Sequence, residues 1–269
     1  MPQTLLIFLM KISIVTVCFN SEVTIKDTIE SVSNQNGVDK LVEHIIIDGQ
    51  SKDDTLSIIQ NFPHIVKVIS ESDNGIYDAM NKGIKMATGD IIGLLNSDDL
   101  YYDNYSLQKV VTAFESNPDT DVVFGDLVYV DKLDTNKIIR YWKSKSYYDR
   151  FFEDGFVPPH PSFFVRKEVY VQAGLYDIEF KLAADYEFML RTMRQMNFKS
   201  VYIPEVLVRM RLGGATNQSI RNIVKGNIEI IKAWKKNELS IPLKIWAYRI
   251  ARRTLQYLTS PDSQPSIKS

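Results

Sequence analysis

The sequence predicts an α/β domain built on a mostly parallel sheet with helices on both faces, and three observations carry that reading. Apolar, β-branched runs recur at Lys11–Phe19, Leu41–Ile47, Val66–Ser70 and Ile91–Asn96. Helical patterns fall between them, which gives the order βαβαβαβ. Acids gather where those strands end: Asp48 after the second, Glu71 and Asp73 after the third, Asp98 and Asp99 after the fourth. Sheets of this kind bind ligands beyond the carboxyl ends of their strands.

Each element has its own signal. Lys11–Phe19 (K-I-S-I-V-T-V-C-F) is almost continuously apolar, as a parallel strand covered on both faces should be. Val23–Gln35 and Asp53–Phe62 read as helices, the second behind an S-x-x-D capping arrangement at Ser51 and Asp54. Ile76–Met86 is a helix that stops before Gly89, and Ser106–Ser116 is another. Val122–Val130 and Lys137–Trp142, separated by the turn-like Lys132–Asn136, predict a hairpin. Phe156–Pro161 is a proline-rich loop, Ser162–Arg166 a short strand, Asp185–Met196 a helix and Val201–Val206 a strand ahead of Gly213–Gly214. Ile220 to Leu258 is helical, with Pro242 opening a second helix, and Thr259–Ser269 is a polar tail. The expected organisation is one domain over 10–215, in two parts at about 10–130 and 131–215, followed by helices over 216–258 and the tail.

A chain of 269 residues with 45% hydrophobic content buries a sizeable core. Its net charge of −1 supplies no basic field to recruit nucleic acid. Cys18 is the single cysteine, so no intrachain disulfide forms and a reducing, cytoplasmic setting is expected. Leu5–Met10 is too short to span a bilayer and lacks the flanks of a secretory signal. Met10-Lys11 would serve as a start, with residues 1–9 a disordered extension.

Adjacent like charges raise each other's pKa, so Asp98-Asp99 calls for a partner that keeps it ionised. Hard oxygen donors suit Mn²⁺ or Mg²⁺, which keep waters and bridge to phosphate oxygens. The plainer reading is that Asp-Asp starts a loop, since Asp is favoured in turns and N-caps. Acids after three successive strands favour a site. No G-x-x-x-x-G-K-[ST] or G-x-G-x-x-G follows any strand, so neither phosphate-binding motif explains the rim.

Five stretches, in order, make the chain recognisable: S-I-V-T-V-C-F-N (Ser13–Asn20), I-I-D-G-Q-S-K-D-D-T (Ile46–Thr55), S-E-S-D-N-G-I-Y-D-A-M-N-K-G (Ser70–Gly83), A-T-G-D-I-I-G-L-L-N-S-D-D (Ala87–Asp99) and A-A-D-Y-E-F-M-L-R (Ala183–Arg191). Together they resemble the family 2 glycosyltransferases of the GT-A fold, from Lys11 to about Gly214.

That resemblance implies roles for particular residues. The nucleotide-binding half would be 10–130 and the acceptor half 131–215. Thr16, Val17 and Asp48 would lie against the base of a nucleotide-sugar, where the Asp48 carboxylate suits the imide N–H of uracil, and Asn20 would be a further contact to the nucleotide-sugar. Asp73, Asp78 and Asn81 would be polar contacts to the donor and Lys82 a phosphate partner, although Lys82 also reads as a solvated helix-face charge. Asn96, Asp98 and Asp99 fall on the family's D-x-D region, with Asn96 where many members carry an acid; the metal goes to Asp99 first and Asp98 second. Asp185 would be the base that takes the acceptor proton, preceded by Ala184 where the family often has Glu. At a helix start an ionised Asp is stabilised by the dipole, and plain N-capping competes with that role. His160, in V-P-P-H-P-S-F-F, and Arg211 are acceptor-side candidates, and Arg209, Arg211 and the Gly213–Thr216 loop could close over the diphosphate.

Ile241–Leu258 sets Ile245, Tyr248, Ala251, Leu255 and Leu258 against Lys244, Arg249, Arg252 and Arg253. Such a basic amphipathic helix lies on an anionic membrane surface or packs on its own domain, and the residues leave both open. The function implied is an inverting, metal-dependent glycosyltransferase that moves a sugar from a nucleotide-sugar, expected to be UDP-linked, to a glycan or lipid-linked saccharide in bacterial cell-surface polysaccharide assembly. It would work in the cytoplasm, peripheral to the inner face of the membrane if the basic helix docks there. Two alternatives stand beside it. A sugar-1-phosphate nucleotidyltransferase would carry a Gly-rich basic loop after its first strand, which Cys18–Val23 lacks. A non-catalytic nucleotide- or carbohydrate-binding homologue would fit Asn96 and Ala184.

Overall fold

A computed structural model describes residues 10–38, 41–213, 220–242 and 244–258. The expected 1–9 extension, the Gly214–Thr216 part of the loop and the 259–269 tail lie outside the described residues.

A mixed sheet of nine strands organises the chain, in the order β3-β2-β1-β4-β8-β6-β9-β5 with β7 paired to β6. Its first four strands, β1 (Ile12–Cys18), β2 (Val42–Asp48), β3 (Ile65–Ser70) and β4 (Ile91–Asn96), are mutually parallel. Helices α1 (Ile25–Ser33), α2 (Thr55–Ile59) and α3 (Ile76–Met86) make the crossovers. Beyond β4 the sheet turns mixed: β8 (Phe163–Arg166) is antiparallel to both β4 and β6 (Val122–Val130), and β6 runs parallel to β9 (Ser200–Arg211). The expected hairpin forms between β6 and β7 (Ile138–Trp142).

Strand pleating divides the core. Val15 and Val17 of β1 pack with Met80 and Ile84 of α3, while Ile12 and Ile14 join Leu107, Val110 and Phe114 of α4 (Ser106–Ser116) on the other face. A Cβ on Gly83 would come 2.2 Å from a Val15 methyl, so only glycine lets α3 lie this close to β1.

Four local expectations change. The S-x-x-D cap does not form: the Ser51 hydroxyl turns to Asp48, and Asp53 Oδ1 instead accepts from Thr55 N at 3.1 Å and Thr55 Oγ1 at 2.5 Å. A short strand, β5 (Asp99–Tyr101), begins at the second acid of the pair and is held by β9. β9 continues past Pro204 to Arg211, with register shifts around Asp126 of β6 absorbing the proline. The helix expected over Asp185–Met196 is α6 (Ala184–Met189) followed by a π-helical segment, Leu190–Gln195, and a short helix, α5 (Lys167–Ala173), precedes it.

Two helices close the described chain, α7 (Ile220–Lys236) and α8 (Ile245–Leu258). Trp234 of α7 is buried and donates its indole N–H to the Tyr186 hydroxyl of α6 at 2.9 Å. Ile245 anchors the start of α8, whereas Ile250 and Leu255 are exposed. Among the described residues no helix is long and apolar enough to cross a membrane.

Candidate active site

Parallel register brings the expected rim into line. Cys18 is opposite Asp48, Asp48 opposite Ser70, and Val17 opposite Asn96. The loops leaving these strands are tied to one another. Ser97 N donates to Val17 O at 3.2 Å, the Ser21 and Ser97 hydroxyls lie 2.8 Å apart, and Asn20, with a left-handed backbone at φ 49°, donates its N–H to Ser51 Oγ at 2.8 Å. A Cβ on Gly49 would meet Asp73 Oδ2 at 2.7 Å, so the loop after β3 rests directly on the glycine that follows Asp48.

Asp48 is fully buried. Its Oδ2 accepts from Ser51 N at 3.1 Å and Ser70 Oγ at 2.6 Å, and its Oδ1 from the Ser51 hydroxyl and, at 3.6 Å, the Cys18 thiol. These bonds shape the end of β2. Thr16 is also buried, with its hydroxyl 3.0 Å from His44 Nε2, and Val17 is buried beside it. Asp73 Oδ1 accepts from Gly75 N at 2.8 Å, and Asp78 Oδ2 from Asn74 N at 3.0 Å, so both brace the turn into α3. Lys82 is committed to Glu71 at 2.9 Å and Ser72 O at 2.8 Å, and Asn81 clamps the backbone of Tyr176 through bonds of 2.8 and 3.0 Å.

The end of β4 is different. Asn96 Nδ2 donates to Asp99 Oδ2 at 3.2 Å, while Asn96 Oδ1 and Asp99 Oδ1 are buried with no hydrogen-bond partner. Asp99 is fully buried, and burial, helped by the Asp98 charge, pushes its carboxyl well above the usual carboxylate range. Asp98 is the more accessible acid; burial raises it too, against the pull of Arg211. Arg211 is not free to swing over a ligand: its guanidinium is bonded to Asp27 of α1 and donates to Asp98 O at 3.0 Å. Thr28 Oγ1 donates to Asp99 O at 2.8 Å. Arg209 donates to Tyr102 O at 2.5 Å. Buried, unpartnered oxygens are unusual in a folded protein and suit a ligand of opposite character. Hard oxygens here fit a divalent cation, held by Asp98 and Asp99 with Asn96 beside them. Among the described residues no three His, Cys, Asp or Glu side chains converge on one point, so such an ion would take its remaining ligands from water and a diphosphate.

Asp185, the second residue of α6, accepts from the Tyr77 hydroxyl at 3.0 Å. The Tyr77 and Tyr176 ring centroids lie 5.8 Å apart, and His160 Nε2 is 3.1 Å from the Tyr176 hydroxyl. Burial pulls His160 below the usual histidine range, with Asp185 opposing. Asp185, Tyr77, Tyr176 and His160 thus form one cluster. Tyr77 and Tyr176 were not singled out by the sequence, although Tyr77 stands in the G-I-Y-D-A-M-N-K-G stretch next to Asp78. A carboxylate in such a cluster is chemically able to take a proton.

Known proteins resemble this chain in sequence and in fold. The chain is 32% identical over 185 residues to an uncharacterised glycosyltransferase of Mycobacterium tuberculosis, covering 67% of this chain and 68% of that protein. Its fold is similar to that of S. aureus TarS, with a TM-score of 0.65 at 17% identity over 91% of this chain, and the chain spans 43% of TarS. TarS 1–349 has been solved with UDP and with UDP-GlcNAc. The mannosyltransferase PcManGT of Pyrobaculum calidifontis, in complex with GDP-Man and Mn²⁺, is similar at a TM-score of 0.62 and 15% identity, over 94% of this chain and 77% of its own. These structural neighbours are GT-A glycosyltransferases, so the fold is the expected one. The description Glycosyl transferase family 2 matches residues 13–171, which sets aside the nucleotidyltransferase reading, and the chain belongs to that family of glycosyltransferases.

Proposed function

We propose that this glycosyltransferase moves a sugar from a nucleoside diphosphate donor, UDP-linked by preference, onto a hydroxyl of a cell-surface glycan or lipid-linked saccharide, with inversion at the anomeric carbon. The observation that carries the reading is the pair of buried, unpartnered oxygens, Asn96 Oδ1 and Asp99 Oδ1, beside Asp98 at the end of β4. A divalent cation, Mn²⁺ or Mg²⁺, supplies neutralisation of the diphosphate charge when bound there.

The nucleoside lies along the ends of β1 and β2, against Val17 and Asn20, with Thr16 and Asp48 fixing that wall from behind. Asp73 and Asp78 set the loop that borders the donor, and Lys82 and Asn81 hold α3 beneath it. Asp98 and Asp99 face the diphosphate. Asp185 takes the proton of the acceptor hydroxyl, whose oxygen bonds to the anomeric carbon from the face opposite the diphosphate. The bond to the diphosphate oxygen breaks in the same displacement, and the nucleoside diphosphate leaves. His160 and Tyr176 line the acceptor side, and Arg211 steadies the Asp98-Asp99 turn. Transfer takes place in the cytoplasm, and the exposed Ile250 and Leu255 of α8 give a surface for the cytoplasmic membrane.

The test is a thermal-shift screen of UDP-, GDP- and dTDP-sugars with and without Mn²⁺. A shift with UDP-sugars that needs Mn²⁺ supports the reading. Equal shifts with and without the ion argue against it. Release of UDP from a donor in the presence of Mn²⁺ separates an enzyme from a binding homologue that lacks turnover.

A further inference from the structure

Small residues open α6. Ala183 and Ala184 precede Asp185, and neither offers a side-chain acceptor, so the helix that carries the proposed base has no cap of its own. What holds its start is a side chain of α7, 46 residues from Ala183 in sequence, which ties down the segment leading into the helix. Glu229 is buried, 5% exposed, and both its carboxylate oxygens face the segment before α6. Oε1 accepts from Lys181 N at 3.1 Å, and Oε2 accepts from Lys181 N at 3.0 Å, Leu182 N at 2.7 Å and Ala183 N at 3.0 Å. Three successive peptide N–H groups are therefore gathered by one carboxylate. Such charge-assisted bonds are about twice as strong as neutral ones.

The tie is reinforced further along the same two helices. Trp234 Nε1 donates to the Tyr186 hydroxyl at 2.9 Å, and Asn237 Nδ2 donates to Glu187 Oε1 at 3.1 Å. Glu187 in turn pairs with Arg191 at 2.9 Å, whose guanidinium also donates to Leu175 O at 2.9 Å. The residues on either side of Asp185 are thus fixed, and Asp185 itself is left with the Tyr77 hydroxyl as its partner in the described contacts.

We infer that Glu229 is a positioning residue: by capturing the Lys181, Leu182 and Ala183 N–H groups it sets the direction in which α6 presents Asp185 to the acceptor. This rests on the reading of Asp185 as the base. Glu229 touches no reacting atom, and its effect passes through the Asp185 carboxylate. A misplacement of about 1 Å at a catalytic group is enough to lower a rate by about 100-fold.

The experiment measures release of UDP from UDP-N-acetylglucosamine and of GDP from GDP-mannose, with Mn²⁺, by the whole chain and its Asp185→Asn, Glu229→Gln, Glu229→Ala and Asp185→Asn/Glu229→Gln variants. Glu229→Gln keeps one carbonyl acceptor and should lower kcat by about 10-fold, and Glu229→Ala by about 100-fold, with KM for the donor within about twofold of wild type. Adding Glu229→Gln to Asp185→Asn should change the remaining rate by less than about twofold, because the two act as one unit. If Glu229→Gln multiplies down the Asp185→Asn rate as it does the wild-type rate, or leaves kcat unchanged where Asp185→Asn lowers it, the inference is overturned. Should Asp185→Asn turn over normally, it is the base assignment that fails. Hydrogen exchange guards against a folding artefact: in Glu229→Gln the peptide over 181–189 should exchange faster while β1 to β4 stay protected, and unchanged protection at 181–189 also overturns the inference.

Discussion

The Tyr77 hydroxyl donates to Asp185 Oδ1 at 3.0 Å, and the two residues lie 108 positions apart in sequence. One belongs to α3 and the other to α6, helices that the proposed function sets on the donor and acceptor sides. This bond joins the two sides of the proposed site. Tyr77 is buried, and its hydroxyl is pushed well above the usual phenol range by burial first and by the Asp185 charge second, so it stays a donor throughout the working range.

Tyr77→Phe removes that donor and little else. The expected outcome is a kcat lowered by about 10-fold with donor affinity unchanged, and a stability loss of about 1 kcal/mol for one hydrogen bond. Steady-state kinetics and denaturant unfolding of the same preparation check both numbers.

Asp185→Asn keeps the shape of the side chain and an acceptor for Tyr77 while removing the base. Transfer should fall by about 100- to 10,000-fold, the usual worth of a positioned general base. Calorimetry should give donor binding within about twofold of wild type. Near-normal turnover would remove Asp185 as the base.

Arg211 joins α1 to the Asp98-Asp99 turn through Asp27 and Asp98 O. Arg211→Met should therefore loosen the Asp98-Asp99 turn, weakening Mn²⁺-dependent nucleotide binding by about 10-fold and leaving metal-free nucleotide binding as it was. Asp27→Asn, which keeps Arg211 in place but removes its partner charge, should fall between Arg211→Met and wild type, since Asp27 is partly exposed and screened.

Asp99 sets a pH dependence with a definite sign. Its carboxyl lies well above the ordinary 3.8 because it is buried and beside Asp98, so the folded state binds a proton more readily than the unfolded chain. In the cation-free protein the contribution of this one group is fully present below that ordinary value and is lost as pH rises through the raised one. Asp99→Asn escapes that loss. In EDTA its melting temperature should exceed that of the wild type by a margin that widens as pH rises from 4. Mn²⁺ should reverse the order by stabilising the wild type alone.

Much of this arrangement could be read in the sequence. β1, β2 and β4 were legible because strands covered on both faces are continuously apolar, β3 because it is rich in β-branched residues although Val66 and Val68 are exposed at the sheet edge, and the acids at the strand ends followed from the same pattern. Local chemistry was harder. β5 spans Asp99–Tyr101, too few residues for any periodicity, and only its pairing with Met210, Arg209 and Val208 makes it a strand. The last strand was expected to stop at Val206, ahead of the glycine pair, yet β6 takes up the irregularity at Pro204 and β9 runs on to Arg211. Ser51 and Asp54 matched a capping pattern, but the hydroxyl found a stronger acceptor in the buried Asp48. Lys82 and Arg211, read as phosphate partners, satisfy Glu71 and Asp27 instead. Tyr176 and Glu229 gave no local signal at all, because their partners lie far away along the chain.

The most direct test of the account is the affinity of the wild-type chain and of Asp99→Asn for UDP, measured by calorimetry in Mn²⁺ and again in EDTA. A rim built to hold a cation against a diphosphate predicts wild-type binding at least about 10-fold tighter in Mn²⁺, worth about 1.4 kcal/mol, and no such difference for Asp99→Asn. Equal affinity in Mn²⁺ and EDTA for the wild type, or an Mn²⁺ gain that survives Asp99→Asn unchanged, would contradict it.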